Sequence, residues 1–168
     1  VFIKKQSPRP HAVKVDRLTG GLLVDDWPFY PVGFYTGFPV GDVPVQEAYN
    51  AMNLMGVYQR IDEETLEERQ TYMDRCAALG IKVNYHLNSL VGTPHNQTQV
   101  EITEAEQQRR EALLREEVRR FRDHPALLSW YMNDEPVGQG RSPELLERAY
   151  QIIKEEDPYH PVSVVFVI

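Results

Sequence analysis

Apolar and polar positions along this 168-residue chain follow two alternating patterns. Short runs rich in β-branched and aromatic residues, such as "IKVNYHLN" and "ALLSWYM", predict strands. Longer segments place apolar residues three and four positions apart, as in "LEERQTYMDRCAALG" and "EAEQQRREALLREEVRRF", and predict helices. Strands that alternate with helices indicate a parallel sheet with right-handed crossovers.

The pattern predicts about five parallel strands with helices between them. In chain order the strand segments are "FYPVGFYTG", "MNLMGVYQ", "IKVNYHLNSL", "ALLSWYM" and "PVSVVFVI". The last of these is a β-branched run that we expect to be fully buried. A β-hairpin in "AVKVDRLTGGLLVDD" precedes the first strand.

Several residues mark the expected helix ends. A short helix is expected at 45–51, and Gly80 suits the exit of a longer one. We interpret three acidic residues as the first turn of that longer helix: Asp62, Glu63 and Glu64. The next helix should begin with the capping box from Thr103 to Glu106. For the last helix, Ser142 and Pro143 supply an N-cap and a first-turn proline.

Such a sheet could be either an open doubly wound sheet or part of a closed barrel. A full barrel needs about 250 residues, and no helix follows the last strand. We therefore interpret the fold as an incomplete (β/α)8 TIM barrel. Residues 27–168 would form its first part, truncated at the C-terminus. Residues 1–26 would be an N-terminal β segment that could end a preceding β-domain.

Composition and charge exclude several classes of function. The formal net charge is −7, whereas a nucleic-acid-binding protein needs a concentrated basic face. No apolar run approaches the roughly 18 residues that span a bilayer. The single cysteine, Cys76, lies in a helix pattern and suits a core thiol. The compartment and oligomeric state are not determined. Extracellular or lysosomal placement would follow only if the parent protein carries a signal peptide.

Polar and aromatic residues follow the predicted strands. Because the carboxyl ends of parallel strands share one face, these residues should meet there. Trp130, and the tyrosines, offer aromatic faces that suit a sugar ring. The sequence has no glycine-rich turn for a phosphate or dinucleotide, and we expect neither a cofactor nor a metal. The strand-end candidates are Tyr35, Tyr58, His86, Asn88, Asn133, Asp134 and Glu135.

Glu135 is the candidate catalytic residue because of its position. It follows a strand expected to be buried, and Pro136 favours an extended backbone before it. A carboxyl shielded by Trp130, Tyr131 or Met132 would keep a proton near neutral pH. Protonation of a glycosidic oxygen requires such a group. The structural alternative is that "NDEP" is only an acidic turn that enters a helix.

Five segments together resemble the first half of retaining glycosidase barrels: "FYPVGFYTG", "MNLMGVYQ", "MDRCAALGIKVNYHLN", "FRDHPALLSWYMNDEP" and "ERAYQIIKEEDPYHPVSVV". The similar families are related to β-galactosidases, β-glucuronidases and cellulases. The resemblance is most specific in "HPALLSWYMNDEP". It implies a carbohydrate substrate, with Glu135 as the acid/base.

The resemblance also shows a departure and a missing partner. Asp134 stands where the similar families usually have an asparagine that holds the sugar 2-hydroxyl. Tyr35, His86 and Asn88 match subsite residues in position only. The nucleophile of those families ends a seventh strand, outside this chain, so the chain alone should be inactive. A carbohydrate-binding barrel that has lost catalysis is therefore the alternative function.

Overall fold

The computed structural model describes residues 7–35, 51–54, 60–91, 102–138 and 140–166. These residues form a mixed α/β structure with one antiparallel and one parallel sheet. The predicted hairpin is confirmed as two paired antiparallel strands, and a third strand extends it. The three strands are β1 (Val13–Val15), β2 (Leu22–Val24) and β3 (Trp27–Phe29).

Within the described ranges the parallel sheet has five strands, and their order in space is their order along the chain. A doubly wound sheet reverses its order at a switch point, whereas barrel strands follow one another around a ring. The observed order therefore favours the barrel arrangement, although five strands do not close a barrel. The strands are β4 (Val32–Tyr35), β5 (Ala51–Leu54), β6 (Lys82–His86), β7 (Leu127–Asp134) and β8 (Val162–Val165).

Four α-helices lie in the described ranges, and a 3-10 turn at Glu63–Thr65 leads into the first. The Asp62 side chain caps that turn by accepting from the Thr65 N–H at 3.1 Å. Gly80, just beyond the first helix, has a φ of +70° that suits glycine. The helices are α1 (Leu66–Ala78), α2 (Asn88–Val91), α3 (Glu104–Phe121) and α4 (Pro143–Glu156).

The remaining helix-end predictions have mixed outcomes. Thr103 accepts from the Glu106 N–H at 3.2 Å, which confirms the predicted cap. Ser142 occupies the N-cap position, but its hydroxyl donates to the Glu144 carboxylate instead of capping a backbone N–H. The helix predicted at 45–51 lies outside the described residues except for Ala51, which begins β5.

The main core lies between the parallel sheet and the helices. Trp130, Phe121, Tyr85 and Met73 are among its largest buried side chains, and the Cys76 thiol is buried there as predicted. A smaller cluster of Val13, Val24 and Leu128 joins the antiparallel sheet to the parallel one, with Leu22, Phe29 and Met52 packed against it. The N-terminal strands therefore cover part of the sheet face that the helices leave open.

The prediction that β8 is fully buried is wrong. Val162, Ser163 and Val164 are only partly buried, and Val165 is 43% exposed. Val162 and Val164 pack against the helix-side core. An apolar β-branched run predicts a strand, but its burial depends on neighbours that the run itself does not specify.

Candidate active site

β7 carries the candidate site, and all of its residues except Asp134 are buried. Leu127, Trp130 and Met132 belong to the helix-side core. Tyr131 is paired with His86 on β6, and their ring centroids are 4.7 Å apart. Since successive strand residues point to opposite faces, Tyr131 points away from Trp130 and hence away from the helices.

The sheet face around Tyr131 is polar. Ser129 Oγ donates to Asn84 Oδ1 at 2.8 Å, which links β7 to β6. Ser163 on β8 lies 3.5 Å from the same oxygen. Three neighbouring strands thus contribute hydrogen-bonding groups to this face, as a site for a hydroxyl-rich ligand requires.

Glu135 lies directly after β7 and is exposed. Its N–H donates to the Val165 carbonyl of β8 at 3.0 Å. Its φ is +46°, in the left-handed region, so the predicted extended backbone is wrong. Such a conformation costs a non-glycine residue about 1–3 kcal/mol and is concentrated at functional sites. The hydrogen bond to β8 helps to hold this strained geometry. Because the Glu135 side chain is exposed, the predicted shielding of its carboxyl by Trp130, Tyr131 or Met132 is wrong.

Asp134 is partly buried beside Glu135. The Tyr131 hydroxyl donates to Asp134 Oδ1 at 2.6 Å. This bond fixes the carboxylate relative to the polar sheet face. Asp134, Tyr131 and His86 consequently form a connected group at the carboxyl ends of β6 and β7.

Asn133 and Asn88 connect the same two strand ends. Asn133 Nδ2 donates to Asn88 Oδ1 at 2.6 Å, and both residues are buried. The Asn88 N–H donates to His86 Nδ1 at 3.2 Å. Asn133 Oδ1 and His86 Nε2 are buried without a hydrogen-bond partner. In this arrangement Asn133 and Asn88 position the strand ends, and neither is open to a ligand.

The His86 ring is 1% exposed. Because Nδ1 accepts a backbone hydrogen bond, the proton of the neutral ring belongs on Nε2. Burial lowers the pKa of His86 from 6.5 to about 3, since desolvation disfavours the charged imidazolium. His86 is therefore a neutral hydrogen-bond donor at physiological pH.

This burial predicts a pH-dependent stability. Between pH 6.5 and about 3 the unfolded chain binds a proton at His86 that the folded chain does not. The His86 contribution is therefore complete above pH 6.5 and falls by about 1.4 kcal/mol per pH unit below it. Urea unfolding of wild type and His86→Asn at several pH values between 4 and 7 measures the effect. The stability difference between the two proteins should shrink or reverse as the pH falls. A difference that stays constant with pH would contradict the prediction.

The three remaining candidates lie away from this group or outside the residues that the structure describes. Trp130 is 0% exposed, and its Nε1–H donates to Asp157 Oδ2 at 2.8 Å. It presents no surface to a ligand, so we correct its assignment from substrate contact to core residue. Tyr35 ends β4, but its side chain lies outside the described part of the structure. Tyr58 lies outside the described residues altogether.

Tyr131 is a site residue that the sequence pattern does not indicate. The sequence predicts Tyr131 only as a shield for Glu135, whereas in the structure its hydroxyl donates to Asp134 and its ring contacts His86. Ser129 and Tyr131 alternate with apolar neighbours, and this period of two indicates that they share one face of the strand. The nearly continuous apolar character of "ALLSWYM" concealed it.

A cleft of about 460 Å³ opens between α2, α3 and α4, and Glu135 does not line it. The site is therefore defined by its chemistry rather than by this cleft. Among the residues that the structure describes, no three His, Cys, Asp or Glu side chains are grouped to hold a metal ion. None of the helices within the described ranges is long and apolar enough to cross a membrane.

Comparisons with known proteins support the fold of the chain. No protein-family model matches the chain, and no curated protein matches it by sequence. A β-glucuronidase from an uncultured Clostridium species has a similar structure, with a TM-score of 0.58 and 13% sequence identity. The match covers 94% of this chain and 28% of that chain. The chain thus shares its fold with 28% of the length of that β-glucuronidase.

Proposed function

We propose that this chain supplies the acid/base half of a retaining glycoside hydrolase built on a (β/α)8 barrel. The observation that carries the proposal is the exposed Glu135, held in a left-handed conformation at the carboxyl end of β7. Catalytic groups of barrels collect at this end of the strands. The sequential order of the five strands and the fold shared with a β-glucuronidase support the same proposal.

In the proposed mechanism Glu135 acts twice. It first donates a proton to the glycosidic oxygen as the leaving group departs, and it then removes a proton from the attacking water. A second carboxylate about 5 Å away would act as the nucleophile, and we assign it to residues outside this chain. Because the Glu135 side chain is exposed, a glycosidic oxygen can reach its carboxyl group.

The residues around Glu135 would position the substrate. Asp134, whose Oδ1 accepts from the Tyr131 hydroxyl, would accept further hydrogen bonds from sugar hydroxyls. His86 would act through its contact with Tyr131, since it is buried. The substrate class proposed is therefore a neutral, hydroxyl-rich sugar attached through an O-glycosidic bond.

A non-catalytic carbohydrate-binding barrel is the second candidate. One observation favours it: the amide of Asn133 is buried against Asn88, and the next position carries a carboxylate instead of an amide. Among the described residues, the two positions before Glu135 therefore offer no exposed amide donor that could hold a sugar 2-hydroxyl. A barrel with this defect could retain sugar binding after losing turnover.

Hydrolysis of a panel of aryl glycosides by the full-length protein tests the proposal. We expect release of the phenol from at least one substrate, and NMR of the first-formed sugar should show the anomeric configuration of the substrate. Inversion would contradict the retaining mechanism. Saturable binding without release would favour the binding barrel. Absence of both binding and release across the panel would overturn both candidates.

A further inference from the structure

The imidazole of His160 is completely buried between two acceptors. Its Nδ1 lies 2.7 Å from Asp157 Oδ2, and its Nε2 lies 2.9 Å from the backbone oxygen of His11. Its side chain and that of Asp157 are both 0% exposed. An imidazole nitrogen bonds an oxygen acceptor only when it carries a proton. Both bonds can form together only if both nitrogens are protonated or if Asp157 itself carries the proton.

The surroundings of Asp157 place the second proton on the imidazole. Its carboxylate accepts from Trp130 Nε1–H at 2.8 Å and from the Tyr159 N–H at 3.0 Å, in addition to His160. Burial alone would raise the pKa of Asp157, but the bonds and the charge of His160 outweigh it and hold the pKa below its usual value. An ionised carboxylate accepts all three bonds, whereas a protonated one would have to donate.

We infer that His160 is held as a buried imidazolium cation that fastens the N-terminal strands to the parallel sheet, and that loss of its proton loosens them. The attachment runs from the β7 indole of Trp130 through Asp157 and His160 to the carbonyl of His11. Two residues after His11, the Val13 N–H donates to the Tyr159 carbonyl at 3.1 Å. Val13 is also a member of the cluster that joins the two sheets.

The backbone at His11 is consistent with this attachment. Its φ is +60°, a left-handed conformation that is strained for a residue with a side chain. Strain of this kind persists where surrounding contacts hold it. The hydrogen bond from His160 to the His11 carbonyl is one such contact.

Charged groups from several neighbouring segments lie around His160. Asp157 favours the cation and is in direct contact with it. Lys154 opposes the cation, because its Nζ donates to the His160 carbonyl at 2.8 Å. Arg9 lies over the Tyr159 ring at 5.2 Å and is paired with Asp123. The other charged residues line a cleft of about 840 Å³ that His160 also lines, and they are Lys14, Arg17, Asp25 and Asp26.

The two hydrogen bonds of the His160 ring respond differently to the loss of a proton. The bond to the Asp157 carboxylate is charge-assisted and is the stronger of the two. A neutral His160 would keep its proton on Nδ1 and turn an Nε2 lone pair towards the His11 oxygen. Loss of the second proton therefore breaks the part of the attachment that runs to the His11 carbonyl, while the bond to Asp157 is kept.

NMR of the full-length protein labelled with ¹⁵N-histidine tests the charge state directly. The His160 ring should show two protonated nitrogens at neutral pH. One bare nitrogen in the folded protein at that pH would overturn the inference. This measurement uses wild-type protein and does not depend on the folding of any variant.

Amide exchange tests the consequence for the N-terminal strands. After correction for intrinsic rates, the protection of the Val13 amide should fall about tenfold or more as His160 deprotonates, the equivalent of one hydrogen bond. Protection of the Val118 amide in α3 should not change. His160→Gln should lower Val13 protection at neutral pH and remove its pH dependence. His124→Gln, which removes a histidine paired with Asp74, should behave as wild type. An unchanged pH dependence in His160→Gln would overturn the inference.

Discussion

Replacing Glu135 with glutamine in the full-length protein is expected to lower the turnover of aryl glycosides by about 10²- to 10⁴-fold. Glutamine preserves the size of the side chain, but it can neither donate a proton to the glycosidic oxygen nor accept one from water. Because Glu135 is exposed after β7, the substitution should leave the unfolding free energy nearly unchanged. Initial rates on substrates with good and poor leaving groups measure the effect.

The leaving group and an external nucleophile make this test specific. The loss should be larger for poor leaving groups, which need protonation in the first step. Azide should restore part of the rate on good leaving groups, because it attacks the glycosyl intermediate without a base. Glu147→Gln is the matched control, since Glu147 is exposed on α4. Equal turnover by wild type and Glu135→Gln would remove Glu135 from the mechanism.

Replacing Glu117 with leucine is expected to lower the free energy of unfolding by about 3–5 kcal/mol. Glu117 and Arg69 are both buried. The Arg69 guanidinium donates to both Glu117 oxygens, at 2.7 and 3.0 Å. The Tyr85 hydroxyl of β6 also donates to Glu117. Leucine would leave the Arg69 charge buried without its carboxylate, and this desolvation penalty is the source of the expected loss.

Urea unfolding of three variants separates this penalty from the value of the ion pair itself. Glu116→Leu, at an exposed position of the same helix, should change stability by less than about 0.5 kcal/mol. The double variant Arg69→Met/Glu117→Leu should recover much of the loss, because it removes both charges. A double variant as unstable as Glu117→Leu would show that the loss does not come from the unpaired arginine.

The Arg69–Glu117 pair also bears on the candidate site. It joins α1 to α3, and Tyr85 connects both to β6, the strand that ends at His86. The pair therefore helps to fix the position of β6 relative to the helices. The sequence does not single out this pair, since Arg69 and Glu117 are 48 positions apart and each resembles an ordinary helix-surface charge.

Local patterns in the sequence were sufficient to predict the alternation of strands and helices. The Thr103 cap, the exit at Gly80 and the burial of Cys76 were predicted because they depend on neighbours within a few residues along the chain. The same patterns placed Glu135 directly after the apolar strand β7. Its assignment as the acid/base stays a proposal, because the fold alone does not show function.

Contacts between distant residues decided what the local patterns could not. The order of the parallel strands, the third N-terminal strand and the exposure of β8 depend on which elements pack together. Tertiary packing also placed Trp130 in the helix-side core and left Glu135 exposed. Periodicity shows which residues share a face of one element, but only the assembled sheet determines what that face meets. For that reason the sequence determined the elements and the candidate carboxylate, and the tertiary structure determined its neighbours.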